Sequence, residues 1–132
     1  MAVGYLGGMK FSEAVGDGGH LVLGYGPCRI IIGGRTYNTR GLLVSPERID
    51  TDWGPESAAD LTPEHFEALL APEPQIILVG TGKQQIFPAP ATYLTVLRRS
   101  IGVDVMDTGA ACRTYNILVS EGRKVAAGLI MC

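Results

Sequence analysis

Short apolar runs alternate with segments of helical spacing through the second half of the chain. Residues 76–79, 103–106 and 125–131 are almost continuously apolar, and glycine or polar residues bound each run. Between these runs, residues 90–101 and 108–121 carry apolar side chains at helical spacing. Alternation of this kind is typical of a mostly parallel sheet with crossover helices. The pattern therefore predicts three strands joined by two helices.

The first half has a different pattern, in which short β-forming segments are separated by glycine and proline. A turn is predicted at Gly26-Pro27 and a two-residue hairpin loop at Gly33-Gly34. The predicted strands cover residues 20–25, 29–33, 35–39 and 41–45. We expect an antiparallel meander that forms a second sheet over one side of the α/β half. The glycine-rich residues 1–19 predict a loop.

Residues 61–70 predict a helix between the two halves. Thr62 can cap this helix and Pro63 suits its first turn. His65 lies opposite the apolar face, which favours a solvated histidine. Trp53, the one tryptophan, is interpreted as filling the seam between two layers, with a partner-binding anchor as the alternative.

These elements together predict the fold class. We expect one α/β domain over residues 1–132, with a β-rich part at 1–50 and an α/β part at 61–132. The predicted architecture is a three-layer β/α arrangement, in which helices flank a mixed central sheet and the N-terminal half adds a smaller antiparallel sheet. A chain of 132 residues with 46% apolar residues is large enough for a core of this kind.

Charge and hydropathy exclude several classes of partner. The formal net charge is −2 and no block of like charges occurs, so neither nucleic acid nor an anionic membrane is expected as a partner. The apolar runs are far shorter than the ~20 residues needed to cross a bilayer. The first residues lack the pattern of a signal peptide. A cytoplasmic location without a membrane span is predicted.

The cysteines and histidines do not form a pattern that binds metal. Cys28, Cys112 and Cys132 are odd in number and widely spaced, and His20 and His65 are the only imidazoles. We therefore expect reduced thiols, with no disulfide framework, metal site or cofactor.

Open sheets of this kind bind ligands at the carboxyl ends of their strands, and two loops should meet there. The first loop contains Gly80, Thr81, Gly82 and Lys83. Its glycines allow close backbone approach, and Thr81 and Lys83 could bind an anion. The alternative is a turn that needs positive φ, because the phosphate-binding pattern G-x-x-x-x-G-K-[ST] is absent.

The second loop opens the last predicted helix, whose free N–H groups could face a pocket. Its candidate ligand-binding residues are Thr108, Gly109, Cys112, Arg113 and Asn116.

Two faces of that helix differ in character. The polar face carries Gly109, Arg113, Asn116 and Ser120, and it either lines a cleft or faces solvent. The opposite face is predicted to be core; it contains Ala111, Tyr115 and Leu118. Cys112 near the helix start has either a lowered pKa or a buried, unreactive thiol.

No catalytic set can be assembled from these residues. The Gly-x-Ser-x-Gly elbow is absent, and no serine, histidine and carboxylate are placed to form a triad. The prediction leans away from an enzyme.

Four segments of the chain resemble a known family. They are Leu-Thr-Pro-Glu at 61–64, Ile-Leu-Val-Gly-Thr-Gly at 77–82, Thr-x-x-Ala-x-x-Thr-Tyr-Asn at 108–116 and Glu-Gly-Arg-Lys-Val-Ala-Ala at 121–127. The family is one of small domains of unknown function. It includes bacterial and archaeal single-domain proteins, the adipogenesis-associated cytosolic protein of animals and the mitochondrial complex I assembly factor three.

The resemblance implies the same three-layer β/α fold and supplies no catalytic residues, while some members resemble assembly factors. We therefore predict a non-catalytic binding or assembly-type module of the cytosol, with a cleft between the loops at 80–83 and 108–116. Its partner would be an unknown protein, and the alternative is an enzyme or sensor that binds a small anionic metabolite in that cleft. A homodimer through edge strands of the β-rich half is possible.

Overall fold

The computed structural model describes residues 19–132, so all of the predicted N-terminal loop except Gly19 lies outside the described residues. The elements follow the chain as β1 (Val22–Gly26), β2 (Arg29–Ile32), β3 (Arg35–Tyr37), β4 (Gly41–Ser45), β5 (Arg48–Asp50), α1 (Pro63–Ala68), β6 (Ile76–Thr81), α2 (Leu94–Arg98), β7 (Gly102–Met106), α3 (Thr108–Ser120) and β8 (Val125–Ile130). Short 3₁₀ turns at Ala58–Asp60 and Pro90–Tyr93 precede α1 and α2.

The strands form a mixed five-stranded sheet and a smaller antiparallel three-stranded sheet. The central sheet has the order β5-β4-β8-β6-β7, and the small sheet has the order β1-β2-β3. β6 is parallel to both β7 and β8, whereas β4 is antiparallel to β5 and β8. The predicted fold class is confirmed.

The meander predicted for the first half is only partly right, because β4 and β5 belong to the central sheet. β4 pairs with β8, with Leu42 opposite Leu129. Every residue of β4 is buried, as is every residue of β8. Such continuously buried strands need cover on both faces, which the middle of a three-layer fold provides and a covering sheet does not.

Two apolar cores lie on opposite faces of the central sheet. One packs α3 and the small sheet against the central sheet, with Leu42, Leu78 and Leu129 among its buried residues. The other packs the segment from Trp53 through α2 against the opposite face, where Leu43 and Ile77 are buried. Neighbours in sequence therefore alternate between the cores, as strand geometry requires.

The helix α1 begins with a capping arrangement that corrects the interpretation of His65. The Thr62 N–H donates to Nδ1 of His65 at 3.0 Å, so the imidazole satisfies a helix-terminal donor. His65 is half-buried rather than solvated, with its ring edge-on to Trp53 at 5.9 Å between centroids. Trp53 is buried against Gly128 and donates from Nε1 to the His65 carbonyl at 2.9 Å, so it fills a seam as predicted.

The helix predicted over residues 90–101 is shorter than expected. A 3₁₀ turn comes first, and Tyr93 then leaves helical geometry with φ −124° and ψ 23°. The α-helical part ends at Arg98, and Ser100 takes φ +60°. Proline at the start and a left-handed residue at the end thus leave little more than one α-helical turn. Within residues 19–132, no helix is long and apolar enough to span a bilayer.

Candidate functional site

A cavity of about 280 Å³ lies at the carboxyl ends of the three parallel strands β6, β7 and β8. The loop after β6 forms one wall, and the start of α3 forms another. The turn between β1 and β2 forms a third wall that the sequence did not indicate. The lining residues are Tyr25, Gly26, Pro27, Cys28, Gly82, Lys83, Asp107, Thr108, Gly109, Met131 and Cys132.

The two predicted loops are joined by reciprocal hydrogen bonds. The Gly82 N–H donates to the Thr108 hydroxyl at 2.8 Å, and the Thr108 N–H donates to the Gly82 carbonyl at 2.9 Å. The Thr108 hydroxyl in turn donates to the Ile130 carbonyl at 2.6 Å. Thr108 therefore connects the ends of β6 and β8 to the start of α3, and its polar groups are occupied within the protein.

The glycines of the first loop serve close packing and backbone geometry. A Cβ on Gly80 would stand 2.8 Å from the Thr108 hydroxyl oxygen and 2.9 Å from its Cα. Gly82 has φ +92°, and a Cβ there would stand 2.8 Å from the carbonyl carbon of Cys132. Gly80 thus lets α3 approach β6 closely. Gly82 has the positive φ of a turn, which is the alternative that the sequence left open for this loop.

Thr81 and Lys83 differ sharply in their surroundings. The buried Thr81 hydroxyl donates to the Gln84 carbonyl and accepts from the Ile86 N–H at 3.1 Å. Thr81 therefore folds the loop back on itself, and these two hydrogen bonds of its hydroxyl are made within that loop. Lys83 is exposed at the rim of the cavity.

The N-terminus of α3 already carries an acidic cap. The Asp107 carboxylate accepts from the Ala110 N–H at 2.8 Å, in the position where the predicted anion would sit. A negative side chain at this place satisfies the helix end and repels a second negative charge. This geometry disfavours an anion at the start of α3.

The polar face of α3 contacts the small sheet. The Arg113 guanidinium donates to the Tyr25 hydroxyl and also stacks on its ring, with Cζ 5.9 Å from the centroid. Gly109 approaches the same ring so closely that a Cβ would stand 2.9 Å from Tyr25 Cε1. The face predicted either to line a cleft or to meet solvent thus holds β1 in place, and only its first turn lines the cavity.

The Asn116 amide binds the backbone of β1. It donates to the Val22 carbonyl at 2.6 Å and accepts from the Val22 N–H at 2.8 Å. Asn116 therefore completes an edge of the small sheet and does not line the cavity.

Cys112 and Tyr115 lie within the core under α3. Burial raises the pKa of the Cys112 thiol to about 12, so the possibility of a lowered pKa is wrong and the thiol is unreactive. Tyr115 is fully buried, donates from its hydroxyl to the His20 carbonyl at 2.7 Å, and has a pKa raised by burial. The predicted core face is confirmed at Ala111 and Tyr115, and Leu118 is half-buried against the same core.

The prediction that all cysteines are reduced thiols is wrong. Cys28 in the β1–β2 turn and Cys132 after β8 form a disulfide, with their Cα atoms 4.8 Å apart. Such a separation lies in the range that a disulfide requires. The residues are 104 positions apart in sequence, and only the docking of the small sheet brings them together.

Comparison with known proteins supplies a family. A family model described as a protein of unknown function, DUF498/DUF598, matches residues 22–130. The chain belongs to this DUF498/DUF598 family. The match covers β1 through β8 and so includes both sheets and all lining residues of the cavity except Met131 and Cys132.

Three relatives illustrate the range of the family. The 13 kDa major membrane protein of Francisella tularensis is 30% identical over 77% of this chain and 83% of its own length. The bovine NADH dehydrogenase 1 alpha subcomplex assembly factor 3 is 34% identical over 72% of this chain, but that match spans only 58% of the bovine protein. A crystal structure from Bordetella parapertussis has a TM-score of 0.80 at 33% identity, over 86% of this chain and 96% of that chain.

In this DUF498/DUF598 chain, the structure brings five of the nine predicted site residues close to the cavity. Gly82, Lys83, Thr108 and Gly109 line it, and Thr81 shapes the adjoining loop. The remaining four, Gly80, Cys112, Arg113 and Asn116, serve packing or the docking of β1.

Sequence reasoning missed two features beside the cavity. One is the wall made by Tyr25 and the disulfide, which no local pattern could indicate. The other is the loop that carries Ile86 and Phe87, whose side chains are 41% and 70% exposed. Two consecutive large apolar residues before Pro88 were a visible signal for an exposed apolar loop. Among residues 19–132, no cluster of three or more His, Cys, Asp or Glu is arranged to hold a metal ion.

Proposed function

We propose that this protein is a non-catalytic binding module of the assembly type, located in the cytoplasm, whose contact surface is the carboxyl-end edge of the central sheet. The surface combines the cavity beside Gly82 and Gly109 with the neighbouring loop of Ile86 and Phe87. The partner we propose is a protein that offers apolar side chains.

The exposure of Phe87 is the observation that carries this proposal. A phenylalanine with 70% of its surface in solvent gains free energy when a partner covers it. Aromatic side chains are also enriched among residues that dominate binding at protein interfaces. Ile86, the preceding residue, is 41% exposed and lines a second cavity of about 270 Å³ that shares Lys83 and Cys132 with the first.

The hydrogen bonding around the first cavity supports a binding role over a catalytic one. The Thr81 and Thr108 hydroxyls and the Asp107 carboxylate all bond within the protein. The two hydroxyls donate to backbone carbonyls, which cannot act as the general base that a nucleophile needs. The name of the bovine relative, an assembly factor, also points to proteins as partners.

Site-specific photocrosslinking in cells of the source organism tests this function. A benzophenone amino acid at position 87 is expected to yield a discrete crosslinked protein. The same probe at Ile117, which is 58% exposed on α3, is the matched control and should yield none. Phe87→Ser should abolish the interaction without loss of thermal stability, since the side chain is mostly in solvent. Equal crosslinking at both positions, or none at 87, would refute the proposed surface.

The alternative, an enzyme or sensor for a small anionic metabolite, predicts a different result. Phosphate, nucleotides or acidic metabolites would then raise the melting temperature, and Arg113→Ala would remove the effect. Because Arg113 also contacts Tyr25, the control is Tyr25→Phe, which removes the hydroxyl contact and leaves the cation. A shift that survives Tyr25→Phe and is lost in Arg113→Ala would favour the anionic ligand.

A homodimer remains a separate proposal for the same chain. Within residues 19–132, the short strands β3 and β5 of the β-rich half lie at sheet edges, each with one unpaired side. Light scattering coupled to size exclusion would measure the mass directly. A mass twice that of the 14.0 kDa chain would support pairing through one of these edges.

A further inference from the structure

The Cys28–Cys132 disulfide is unusual in its exposure. Both residues are exposed, although the bond joins the small sheet to the end of the central sheet. Exposed disulfides are the ones that exchange readily with thiols, whereas those that serve structure alone resist reduction. The exposure of both cysteines places this bond among those expected to exchange with thiols.

A large cavity gives access to the bond. Its volume is about 630 Å³, and both Cys28 and Cys132 lie in its wall. Sites that bind small organic ligands have volumes of about 300–1,000 Å³, so a molecule of tripeptide size fits beside the sulfur atoms. The bond therefore lies next to space in which a thiol reagent could bind before reacting.

The charged residues around this cavity determine which charge on a thiol reagent is favoured. Arg29 and Arg40 bring two guanidinium groups, and Glu56 brings one carboxylate. Thiols attack as thiolates, which are negative, and cationic surroundings stabilise both the attacking and the departing sulfur. The two guanidinium groups in the cavity wall therefore favour an anionic thiol over a cationic one.

The backbone of Cys28 has a conformation that favours glycine, yet the residue is a cysteine. Pro27 and Cys28 form the two-residue loop between Gly26 and Arg29, and Cys28 has φ +56°. A proline followed by a residue with positive φ matches a type II turn, which favours glycine at the second position. A cysteine held in a conformation that costs free energy indicates a role for its sulfur.

We propose that Cys28–Cys132 is a thiol–disulfide exchange site for small anionic thiols of peptide size, with Arg29 and Arg40 favouring the negative reagent. The inference is independent of the proposed binding function. In the first step a thiolate sulfur attacks one sulfur of the bond. A new S–S bond forms as the old one breaks, and the displaced cysteine leaves as a thiolate that takes a proton from water.

A second thiolate completes the reaction. It attacks the mixed disulfide and releases the small molecule as its own disulfide, and both cysteines are then reduced. Two small thiols are oxidised and one protein disulfide is reduced, so electrons balance. The remaining cysteine, Cys112, takes no part because it is buried beneath α3.

Exchange kinetics on the folded, oxidised chain test the site. Glutathione serves as the anionic thiol and cysteamine as the cationic one, and each rate is divided by that thiol's rate with a small model disulfide. Acid quenching, alkylation and peptide mass spectrometry then locate the adduct. We expect a glutathione adduct on Cys28 or Cys132 without denaturant, and a faster normalised rate for glutathione than for cysteamine.

Variants of charged residues test whether the arginines favour the anionic thiol or whether the bond is simply accessible to any thiol. Arg29→Gln should lower the ratio of glutathione to cysteamine rates about two- to fivefold, the effect of losing one partly exposed charge interaction. Arg98→Gln, an exposed arginine on α2, should leave the ratio unchanged. The Cys28→Ser, Cys132→Ser double variant should form no adduct. A bond that exchanges only in denaturant, an adduct on Cys112, or equal normalised rates for both thiols would overturn the proposal.

Discussion

The side chain of Asn116 pairs with both backbone groups of Val22, as a neighbouring strand would. The amide donates to the Val22 carbonyl at 2.6 Å and accepts from its N–H at 2.8 Å. These bonds lie between α3 and β1, where the small sheet joins the rest of the molecule. An amide supplies both a donor and an acceptor, which neither a carboxylate nor a hydroxyl can present in the same geometry.

Asn116→Ala should therefore destabilise the protein. Two half-buried backbone groups of β1 lose their partners, and the expected loss is about 1–3 kcal/mol. Urea unfolding followed by circular dichroism measures it. Ser120→Ala, exposed on the same helix face, is the control and should change stability by less than about 0.5 kcal/mol. Equal effects of the two substitutions would contradict a docking role for Asn116.

Gly80→Ala should also destabilise, for a steric reason. The added methyl group would stand 2.8 Å from the Thr108 hydroxyl oxygen, so α3 must move away from β6. Overpacking of this kind costs about 1–3 kcal/mol. Gly102→Ala is the matched control, since a Cβ there would meet only Ile76 at 3.8 Å. Thermal unfolding of both variants compares their losses of stability. If Gly80→Ala lowers the melting temperature no more than Gly102→Ala does, α3 has room to shift.

The capping role of His65 predicts a pH dependence. Burial lowers the pKa of His65 from 6.5, aided by Arg40 and opposed by Glu64. Only the neutral ring can accept the Thr62 N–H, so protonation disfavours the folded state. The stabilising contribution of His65 is present above about pH 6.5 and is lost as the pH falls below it through the folded-state pKa.

Unfolding free energies measured from pH 7.5 to 5 test this dependence. His65→Gln should retain a side-chain acceptor for the capping box and flatten the curve over that range. If wild type and His65→Gln decline equally toward acid, another group causes the loss.

Cys112 predicts a loss of stability in alkali. Burial raises its pKa from 9.0 to about 12, so the thiol ionises in the unfolded chain before it does so in the folded one. Cys112 therefore leaves the free energy of unfolding unchanged below about pH 9. Between about pH 9 and 12 it lowers that free energy by up to about 1.4 kcal/mol for each pH unit. The raised pKa of buried Tyr115 adds a loss above pH 10.

Denaturant unfolding at several alkaline pH values measures the slope. Cys112→Ala should be less stable at pH 7 because it leaves a small cavity, yet its slope between pH 9 and 10 should be shallower than that of the wild type. An unchanged slope would assign the alkaline loss to other groups.

Local sequence patterns were sufficient to predict the bounds of the elements whose apolar residues follow a regular strand or helix spacing. β6, β8 and α3 begin and end within about two residues of their predicted bounds, because glycine and charged residues interrupt the apolar runs. β4 was placed in the wrong sheet even though its strand was predicted. An apolar strand sequence indicates that both faces of the strand are covered. It does not indicate with which strand it pairs, and so it does not identify the sheet.

The candidate site was less predictable, because distant residues decide the role of each side chain. Arg113 and Asn116 meet partners 88 and 94 positions away in sequence. Cys28 and Cys132 are farther apart still. The helical spacing correctly grouped Gly109, Arg113 and Asn116 on one face. It could not show that Arg113 and Asn116 would bind β1, or that only the first turn of the face would lie beside the cavity.

The position of β8 has a consequence for how the chain folds during synthesis. β8 lies between β4 and β6, and within the central sheet it alone joins the β4–β5 pair to the β6–β7 pair. The β4–β5 pair leaves the ribosome long before residues 125–130, so the inner side of β4 stays unpaired until β8 emerges. Such edges favour aggregation while they are uncovered. Any delay before β8 emerges would prolong this exposed state, whereas a chaperone that shields β4 would raise the yield of folded protein.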